Sequence, residues 1–264
     1  MRRLHFIELH EQAWVPRSLR ESFVESLSVV LNLTGVYRGV PRLYAQWLRI
    51  SGGREVLDLA SGAGGPTATL LTALQRMGVE APTFYLSDLF PAREKFNQMS
   101  RAYPKHILFV DEPVDALCVS PPHGQDLRQI ISAFHHFRPD QAQSILENAA
   151  RHSRGICILE PFQRNLLHLL LALLTIFPAM IAPFFAQKWK LRLFLTSVIV
   201  PIIPLMLVFD AAVSVMRTYT KEEVNRMVTS LGESNFRWVV GSTSFMLVFR
   251  TTYIFGWREA AAAN

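Results

Sequence analysis

The chain has 264 residues, half of them hydrophobic, and a formal net charge of +6. This length suits one large domain or one domain with an insertion. The excess of Lys and Arg favours an anionic partner. The basic run interleaved with aromatics that nucleic-acid binding needs is missing, so nucleic acid is not an expected partner. The two cysteines, Cys118 and Cys157, lack metal-ligand spacing, so we expect reduced thiols and no metal.

The first 50 residues are predicted to be helical. Glu8 and Glu11 interrupt the apolar run that a secretory signal needs, so no such signal is expected. Apolar residues then recur at helical spacing, first from about 17 to 31 and again from about 40 to 48. These two segments indicate two helices before the first strand.

A predicted strand at 54–60 runs directly into a glycine-rich turn. Asp58 follows the apolar part of the strand, and Gly62 and Gly64 lack a Cβ, so a ligand can lie on the backbone. The free N–H groups of the next helix point to the same place. Thr67 stands where a dinucleotide site needs its third glycine, and no Gly-Lys-Ser/Thr follows. An acidic residue before the glycines suits a positively charged ligand.

Further strands and helices alternate after this turn. Strands are predicted at 83–88, 107–111, 129–134 and 155–160, with helices at 66–77, 91–101 and 139–152. The alternation predicts an α/β fold with a doubly wound parallel sheet. Ligands of such sheets bind at the carboxyl ends of the strands, which is where Asp58, Asp88 and Asp111 fall.

The C-terminal residues complete this sheet. Thr220 and Glu223 have the spacing of a capping box, which predicts a helix that ends near residue 231. Two strands, at about 236–241 and 244–252, are then predicted to form an antiparallel edge hairpin. The sheet would thus be seven-stranded and mostly parallel.

The arrangement Asp58-x-Ala60-x-Gly62-x-Gly64 resembles motif I of the class I S-adenosylmethionine-dependent methyltransferases, which usually have glycine where Ala60 stands. The resemblance implies S-adenosyl-L-methionine as cofactor and a Rossmann-like methyltransferase sheet. It also implies that the first 50 residues act as a lid over the cofactor. The implied cofactor-binding residues are Asp58, Ala60, Gly62, Gly64, Asp88 for the ribose hydroxyls, and Asp111 for the adenine amino group.

Two residues at strand ends are candidates for acid–base catalysis. Methyl transfer to a hydroxyl requires removal of a proton, a task that suits histidine near neutral pH. His135 follows the fourth strand and Glu160 ends the fifth, so both are expected at the substrate rim. A local hydrogen bond or a contact with the cofactor is the alternative role for His135.

The segments 166–187 and 193–213 are almost entirely apolar. Each is long enough to cross a bilayer core. Two transmembrane helices would, however, carry Lys188, Lys190 and Arg192 across the membrane, against the positive-inside tendency. Four prolines also interrupt the two arms: Pro178, Pro183, Pro201 and Pro204. We therefore expect a kinked hairpin that dips into one leaflet or lies in the interface, with Trp189 among the headgroups. The alternative is a buried cap or dimerisation element.

Asp210, near the end of the second arm, is expected either to pair with Arg217 or to line a pocket.

These features divide the chain into four predicted parts. They are an N-terminal helical lid at 1–50, the cofactor half of a methyltransferase core at 51–162, a membrane-associating hairpin at 163–217, and the rest of the core at 218–264. The favoured function is methyl transfer to a lipidic or apolar small molecule, with the hairpin in a membrane and the catalytic domain facing the cytoplasm. The alternatives are a non-catalytic membrane-bound assembly protein and a soluble homodimeric enzyme.

Overall fold

The computed structural model describes residues 1–119, 126–186, 191–232, 235–245 and 249–259. These residues form two compact units. The helical unit comprises Met1–Val36 and Phe162–Tyr219, and the sheet unit comprises Tyr37–Pro161 and Thr220–Asn264. The first 36 residues thus group with the apolar segment, whereas residues 37–50, which the sequence places in the same lid, lie in the sheet unit.

The described part of the sheet unit contains a seven-stranded sheet in the order β3-β2-β1-β4-β5-β7-β6. The strands are β1 Glu55–Asp58, β2 Thr83–Leu86, β3 Ile107–Phe109, β4 Leu127–Ile131, β5 Gly155–Glu160, β6 Phe236–Phe245 and β7 Phe249–Arg258. The first five are parallel, whereas β7 runs antiparallel to β5 and to β6. This topology confirms the predicted fold class.

The helices of the sheet unit lie close to their predicted positions. They are α2 Pro41–Ser51, α3 Gly65–Arg76, α4 Arg93–Ala102, α5 Pro139–His152 and α10 Lys221–Thr229. The predicted capping box of α10 is present, since the Thr220 side chain accepts from the Glu223 N–H. Strands β4 and β5 are buried along their whole length and form the centre of the core.

Several strand ends differ from the sequence prediction. Strand β1 ends at Asp58 and β4 ends at Ile131 because Ala60 and Ser132 adopt positive φ angles of 52° and 57°, which take the chain out of the extended conformation. The final strand begins at Phe249 rather than near residue 244, because β6 continues through the small polar residues up to Phe245.

Strand order places a crevice at the carboxyl ends of β1 and β4. The crossovers run from β1 outward to β2 and β3, then return past β1 to β4 and continue to β5. Ligands of doubly wound sheets bind where the strand order reverses in this way. Within the sheet unit, the ends of β1 and β4 are therefore the expected position of a bound ligand.

The helical unit is built from α1 Arg17–Thr34 and from broken helices of the two apolar arms. The first arm forms α6 Leu166–Leu174 and α7 Ile176–Phe185. The second forms α8 Leu191–Phe194, a π-helical turn Leu195–Ile199, and α9 Ile202–Arg217. Helix α1 packs on α7 and α9, and α6 packs on α9.

Prolines account for the breaks in both arms. Pro178 lies in the first turn of α7 and Pro204 in the first turn of α9, and in an unbroken helix each ring would clash with the carbonyl four residues earlier. The paired helices consequently bend by 43° in the first arm and 72° in the second. Among the described residues no single helix is long and apolar enough to cross a membrane; each arm meets those criteria only as a bent pair. Lys188, Trp189 and Lys190 lie outside the described residues.

Candidate active site

The loop between β1 and α3 has the backbone conformation of a ligand cradle. Ala60, Gly62 and Gly64 all have positive φ angles, and Gly64 caps the N-terminus of α3. A Cβ on Gly64 would lie 2.7 Å from Leu86 Cδ1, so the close approach to β2 favours glycine there. A Cβ on Gly62 would meet no described atom within 4 Å, so the space above that residue is open. Ala60 holds a conformation that costs a residue with a Cβ about 1 kcal/mol.

Asp88 lies directly after β2 and is hydrogen-bonded to this loop. Its Oδ2 accepts from the Gly62 N–H at 3.0 Å, and its Oδ1 accepts from the Phe90 N–H at 3.0 Å. Each carboxylate oxygen has a further lone pair available, so Asp88 can still accept two hydroxyl groups. Phe90 beside it is 83% exposed, an unusually open position for an aromatic ring and one that sequence analysis missed.

Asp58 is buried beneath the loop, not open to it. Its Oδ2 accepts from the Thr67 hydroxyl at 2.6 Å. Burial and the neighbouring charge of Asp88 raise the pKa of Asp58, hydrogen bonds from Thr67, Ser61 and Gln129 lower it, and the net result is a pKa of about 6. The carboxyl group is therefore ionised at neutral pH, in poorly solvated surroundings.

Asp111 lies two residues beyond the end of β3 and is exposed. Its carboxylate forms an ion pair with Arg93, with 3.0 Å between Oδ1 and Nε. Among the described residues, its side chain has no hydrogen bond or ion pair with the glycine loop. Its proposed contact with adenine remains a prediction from the resemblance.

The structure brings His135 and Glu160 together. His135 lies in a short 3₁₀ turn, Phe134–His136, that follows β4, and Glu160 ends the neighbouring strand β5. The His135 Nδ1 is 2.7 Å from Glu160 Oε2, and the His135 N–H donates to Oε1 at 3.2 Å. Both side chains are buried. This pairing assigns the Nδ1–H tautomer to a neutral His135, which directs the basic Nε2 away from the carboxylate.

Two further side chains lie close to this pair. The Tyr37 hydroxyl is hydrogen-bonded to Ser132, the residue with positive φ at the end of β4. Burial raises the pKa of Tyr37, the Ser132 bond lowers it, and the charge of Glu160 raises it, so the phenol stays protonated. Ser132 gave no signal in the sequence, where it stands between apolar residues and looks like part of the strand.

Asp210 lies in the helical unit, and its pairing differs from the expectation. Among the described residues, its carboxylate pairs with the N-terminal segment and not with Arg217. Oδ1 accepts from the Leu9 N–H at 2.6 Å, and Oδ2 lies 2.8 Å from His10 Nδ1. Arg217 instead forms an ion pair with buried Glu8 at 3.2 Å. Sequence patterns missed these partners because each pair is separated by about two hundred residues.

The fold is that of the class I S-adenosylmethionine-dependent methyltransferases. An O-methyltransferase family protein from Burkholderia thailandensis is 16% identical, with a TM-score of 0.55, over 93% of this chain and 61% of its own. Human N-acetylserotonin methyltransferase in complex with SAM is 16% identical, with a TM-score of 0.51. The match covers 92% of this chain and 58% of that protein. The third structure is the O-methyltransferase NcsB1 from neocarzinostatin biosynthesis, in complex with S-adenosylmethionine and 2-hydroxy-5-methyl naphthoic acid. It is 12% identical, with a TM-score of 0.52, and the match covers 92% of this chain and 59% of that protein.

The chain thus spans about three fifths of the length of these three structures. No protein-family model matches it, and no curated protein matches its sequence.

Proposed function

We propose that this protein transfers a methyl group from S-adenosyl-L-methionine to a hydroxyl group of a lipidic or other apolar small molecule, at the cytoplasmic face of a membrane. The His135–Glu160 pair is the observation that supports a catalytic role most directly. It follows β4 and β5, at the same edge of the sheet as the glycine loop that follows β1. A protein that only bound the cofactor would have no need of a buried, oriented base.

The residues of the glycine loop fit the proposed cofactor. Positive φ at Gly62 and open space above it allow a ligand to lie on the backbone. Asp88 retains acceptor capacity for the two ribose hydroxyls, and its two backbone hydrogen bonds fix its orientation. Exposed Phe90 offers an aromatic face for the adenine ring. Asp111 can receive the adenine amino group if its pair with Arg93 opens or is shared.

His135 and Glu160 would act on the acceptor. When bound, the cofactor supplies an electrophilic methyl group on a sulfonium. His135 Nε2 would take the acceptor's hydroxyl proton as the oxygen electron pair forms the new bond to the methyl carbon; the carbon–sulfur bond would break, its electron pair would stay on sulfur, and S-adenosylhomocysteine would leave. Glu160 holds the imidazole in place through Nδ1 and stabilises the positive charge that the ring gains. The two methyltransferase structures that are called O-methyltransferases make an oxygen acceptor the first to test.

The helical unit supports a lipidic acceptor and a membrane location. The two arms expose large apolar side chains at helical spacing, such as Leu166, Leu170 and Leu173 in α6, and Phe177, Ile181 and Phe184 in α7. Exposed apolar surface of this extent is rare on a soluble monomer. Residues 161–209 contain basic residues but no Asp or Glu, so this segment carries a net positive charge, although Arg192 pairs with Glu21 of α1 at 3.3 Å. An anionic leaflet complements both properties.

A labelled-methyl assay tests the proposal. The purified protein is incubated with methyl-labelled S-adenosylmethionine and either a membrane lipid extract or a pool of water-soluble hydroxyl compounds. We expect label in the lipid fraction, abolished by Asp88→Ala. Label only in water-soluble products would reject the lipidic acceptor and favour the soluble enzyme. No label in either pool, with the folded protein still binding the cofactor, would favour the assembly protein.

A further inference from the structure

Four buried polar side chains form one hydrogen-bonded row beneath the glycine loop. The Tyr44 hydroxyl of α2 lies 2.6 Å from Gln129 Oε1 of β4. Gln129 Nε2 lies 2.9 Å from the Thr67 hydroxyl of α3, which lies 2.6 Å from Asp58 Oδ2 at the end of β1. Tyr44, Thr67 and Gln129 are completely inaccessible to solvent and Asp58 is 2% exposed. We call these four residues the Asp58 relay.

The hydrogen bonds of the Asp58 relay have only one consistent direction when Asp58 is ionised. A carboxylate only accepts, so the Thr67 hydroxyl donates to Asp58 and its oxygen accepts from the Gln129 amide. That orientation leaves Gln129 Oε1 as the acceptor for the Tyr44 hydroxyl. Burial, together with the negative charge of Asp58, raises the pKa of Tyr44, so the phenol keeps its proton for this bond. Bonds aligned in this way strengthen one another.

The backbone of Asp58 is held separately from its side chain. The Asp58 carbonyl accepts from the Ser61 hydroxyl at 2.6 Å and from the Ser87 hydroxyl at 2.8 Å. The Ser87 N–H also donates to it, at 2.9 Å. The turn therefore keeps its path without Tyr44 and Gln129. Gln129 acts on the carboxylate both directly and through Thr67, and Tyr44 acts on it through Gln129.

We propose that Tyr44 and Gln129 are positioning residues for cofactor binding, because they hold the Asp58 carboxylate ionised beneath the glycine loop, where its negative charge attracts the positively charged part of S-adenosylmethionine. This inference rests on the proposed function. An isolated buried carboxylate takes up a proton, since burial disfavours its charge unless donors compensate. Charged groups on the surrounding elements do not supply that compensation, because Asp88 after β2 is acidic and Cys157 of β5 and Tyr44 of α2 are neutral.

A purely structural role for the row predicts a different outcome from the same substitution. Tyr44→Phe leaves the Gln129 oxygen buried without its Tyr44 donor, which lowers stability in either case. Loss of stability alone therefore does not distinguish the two roles. The pH dependence of cofactor affinity does, because only a positioning role links Tyr44 to the protonation of Asp58.

The test is calorimetric titration of the full-length protein with S-adenosylmethionine from pH 5 to 8. For the unmodified protein we expect affinity to fall below about pH 6, where Asp58 takes up a proton. Tyr44→Phe should move that midpoint upward by roughly half to one unit, which makes binding at pH 6 about twofold to fivefold weaker and leaves it nearly unchanged at pH 8. Trp47→Phe is the matched control, since it removes another buried hydrogen bond of α2, to the Gly256 carbonyl at 3.0 Å.

Asp58→Asn provides a second variant that does not depend on Tyr44→Phe folding. It removes the titrating group, so its weakened binding should show no step near pH 6. A persisting step, or an equal loss of affinity at every pH in Tyr44→Phe, would overturn the positioning role while leaving the proposed function intact. Failure of the folded unmodified protein to bind at any pH would overturn both.

Discussion

The two compact units distribute apolar and charged groups in opposite ways. The sheet unit buries β4 and β5 completely, and the large apolar residues that its described part exposes, such as Ile50 and Val239, form no row along a helix. The helical unit exposes apolar rows along α6, α7 and α9, while Asp210, Glu8 and Arg217 lie buried. Burial of apolar surface from water therefore accounts for where the apolar side chains of the sheet unit lie. In the helical unit it accounts only for the buried apolar side chains, and the exposed ones need another explanation.

The largest effect is expected at the buried pair of the sheet unit. His135→Gln should lower kcat about 10²-fold to 10⁴-fold, the usual contribution of a positioned base, with the affinity for S-adenosylmethionine unchanged. Glu160→Gln should lower it less, because the ring keeps its place but loses the charge that stabilises the imidazolium. Single-turnover methyl transfer measures this. An unchanged rate in His135→Gln would show that positioning alone supports the reaction.

Removal of the buried guanidinium of Arg217 should destabilise the helical unit. Arg217→Met removes the guanidinium that pairs with buried Glu8, which should cost about 3–5 kcal/mol because less compensation remains for the burial of that carboxylate. Hydrogen exchange of the α9 amides measures the loss as faster local opening. Arg17→Met is the control, because its pair with Glu21 is exposed and contributes less than about 1 kcal/mol. Equal effects of the two substitutions would mean that the buried pair of Glu8 and Arg217 contributes no more stability than a surface ion pair.

Exposed apolar residues should affect membrane binding only in the helical unit. Replacing both Phe177 and Phe185 by Ser removes two exposed rings and should weaken binding to anionic lipid vesicles about a hundredfold. Ile50→Ser removes a comparably exposed apolar side chain from the sheet unit and should change nothing. Vesicle flotation measures both. A dimer that dissociates in the double variant, with no vesicle binding in any form, would instead assign this surface to subunit contact.

The two units should also lose stability in different pH ranges. Asp58 has a pKa of about 6 in the folded protein, above the usual 3.8 of an Asp in an unfolded chain. The stability that it contributes is therefore present below pH 3.8 and is lost as the pH rises through about 6. Burial lowers the pKa of His10, but its bond to Asp210 and the charges of Glu8, Asp210 and Glu11 raise it more. The contribution of His10 is therefore present below pH 6.5 and is lost above it.

Melting curves recorded between pH 4 and 9 separate these two contributions. Asp58→Asn should flatten the dependence below about pH 6, and His10→Gln should flatten it at higher pH. Identical pH profiles of the melting temperature in the two variants would show that neither residue determines the pH dependence of stability in its own unit.

Local patterns in the sequence were sufficient to predict the sheet. The alternation of apolar runs, the glycine turn and the capping box at Thr220 each depend on neighbours within a few residues, and the structure contains all three. The strand-end position of His135 and Glu160 also followed from that alternation, although their 2.7 Å contact did not.

Long-range polar contacts were beyond such patterns. The partners of Asp210 lie at residues 9 and 10, and no periodicity connects them. Gln129 gave a weak signal as an amide inside an apolar strand, but its partners Tyr44 and Thr67 come from two different helices. The early ends of β1 and β4 depend on positive φ at Ala60 and Ser132, residue types that do not favour that conformation.

Binding of S-adenosylmethionine to a Gly62→Val variant tests the central claim most directly. A Cβ at Gly62 points into open space where the cofactor is proposed to lie, at a φ of 57°. Gly78→Val is a closely matched control, with a φ of 68° and open space as well, but at the far end of α3. By calorimetry we expect micromolar binding in the unmodified protein and in Gly78→Val, and none in Gly62→Val. Equal binding in the two variants, or none in the folded unmodified protein, would contradict the assignment of this loop as the cofactor site.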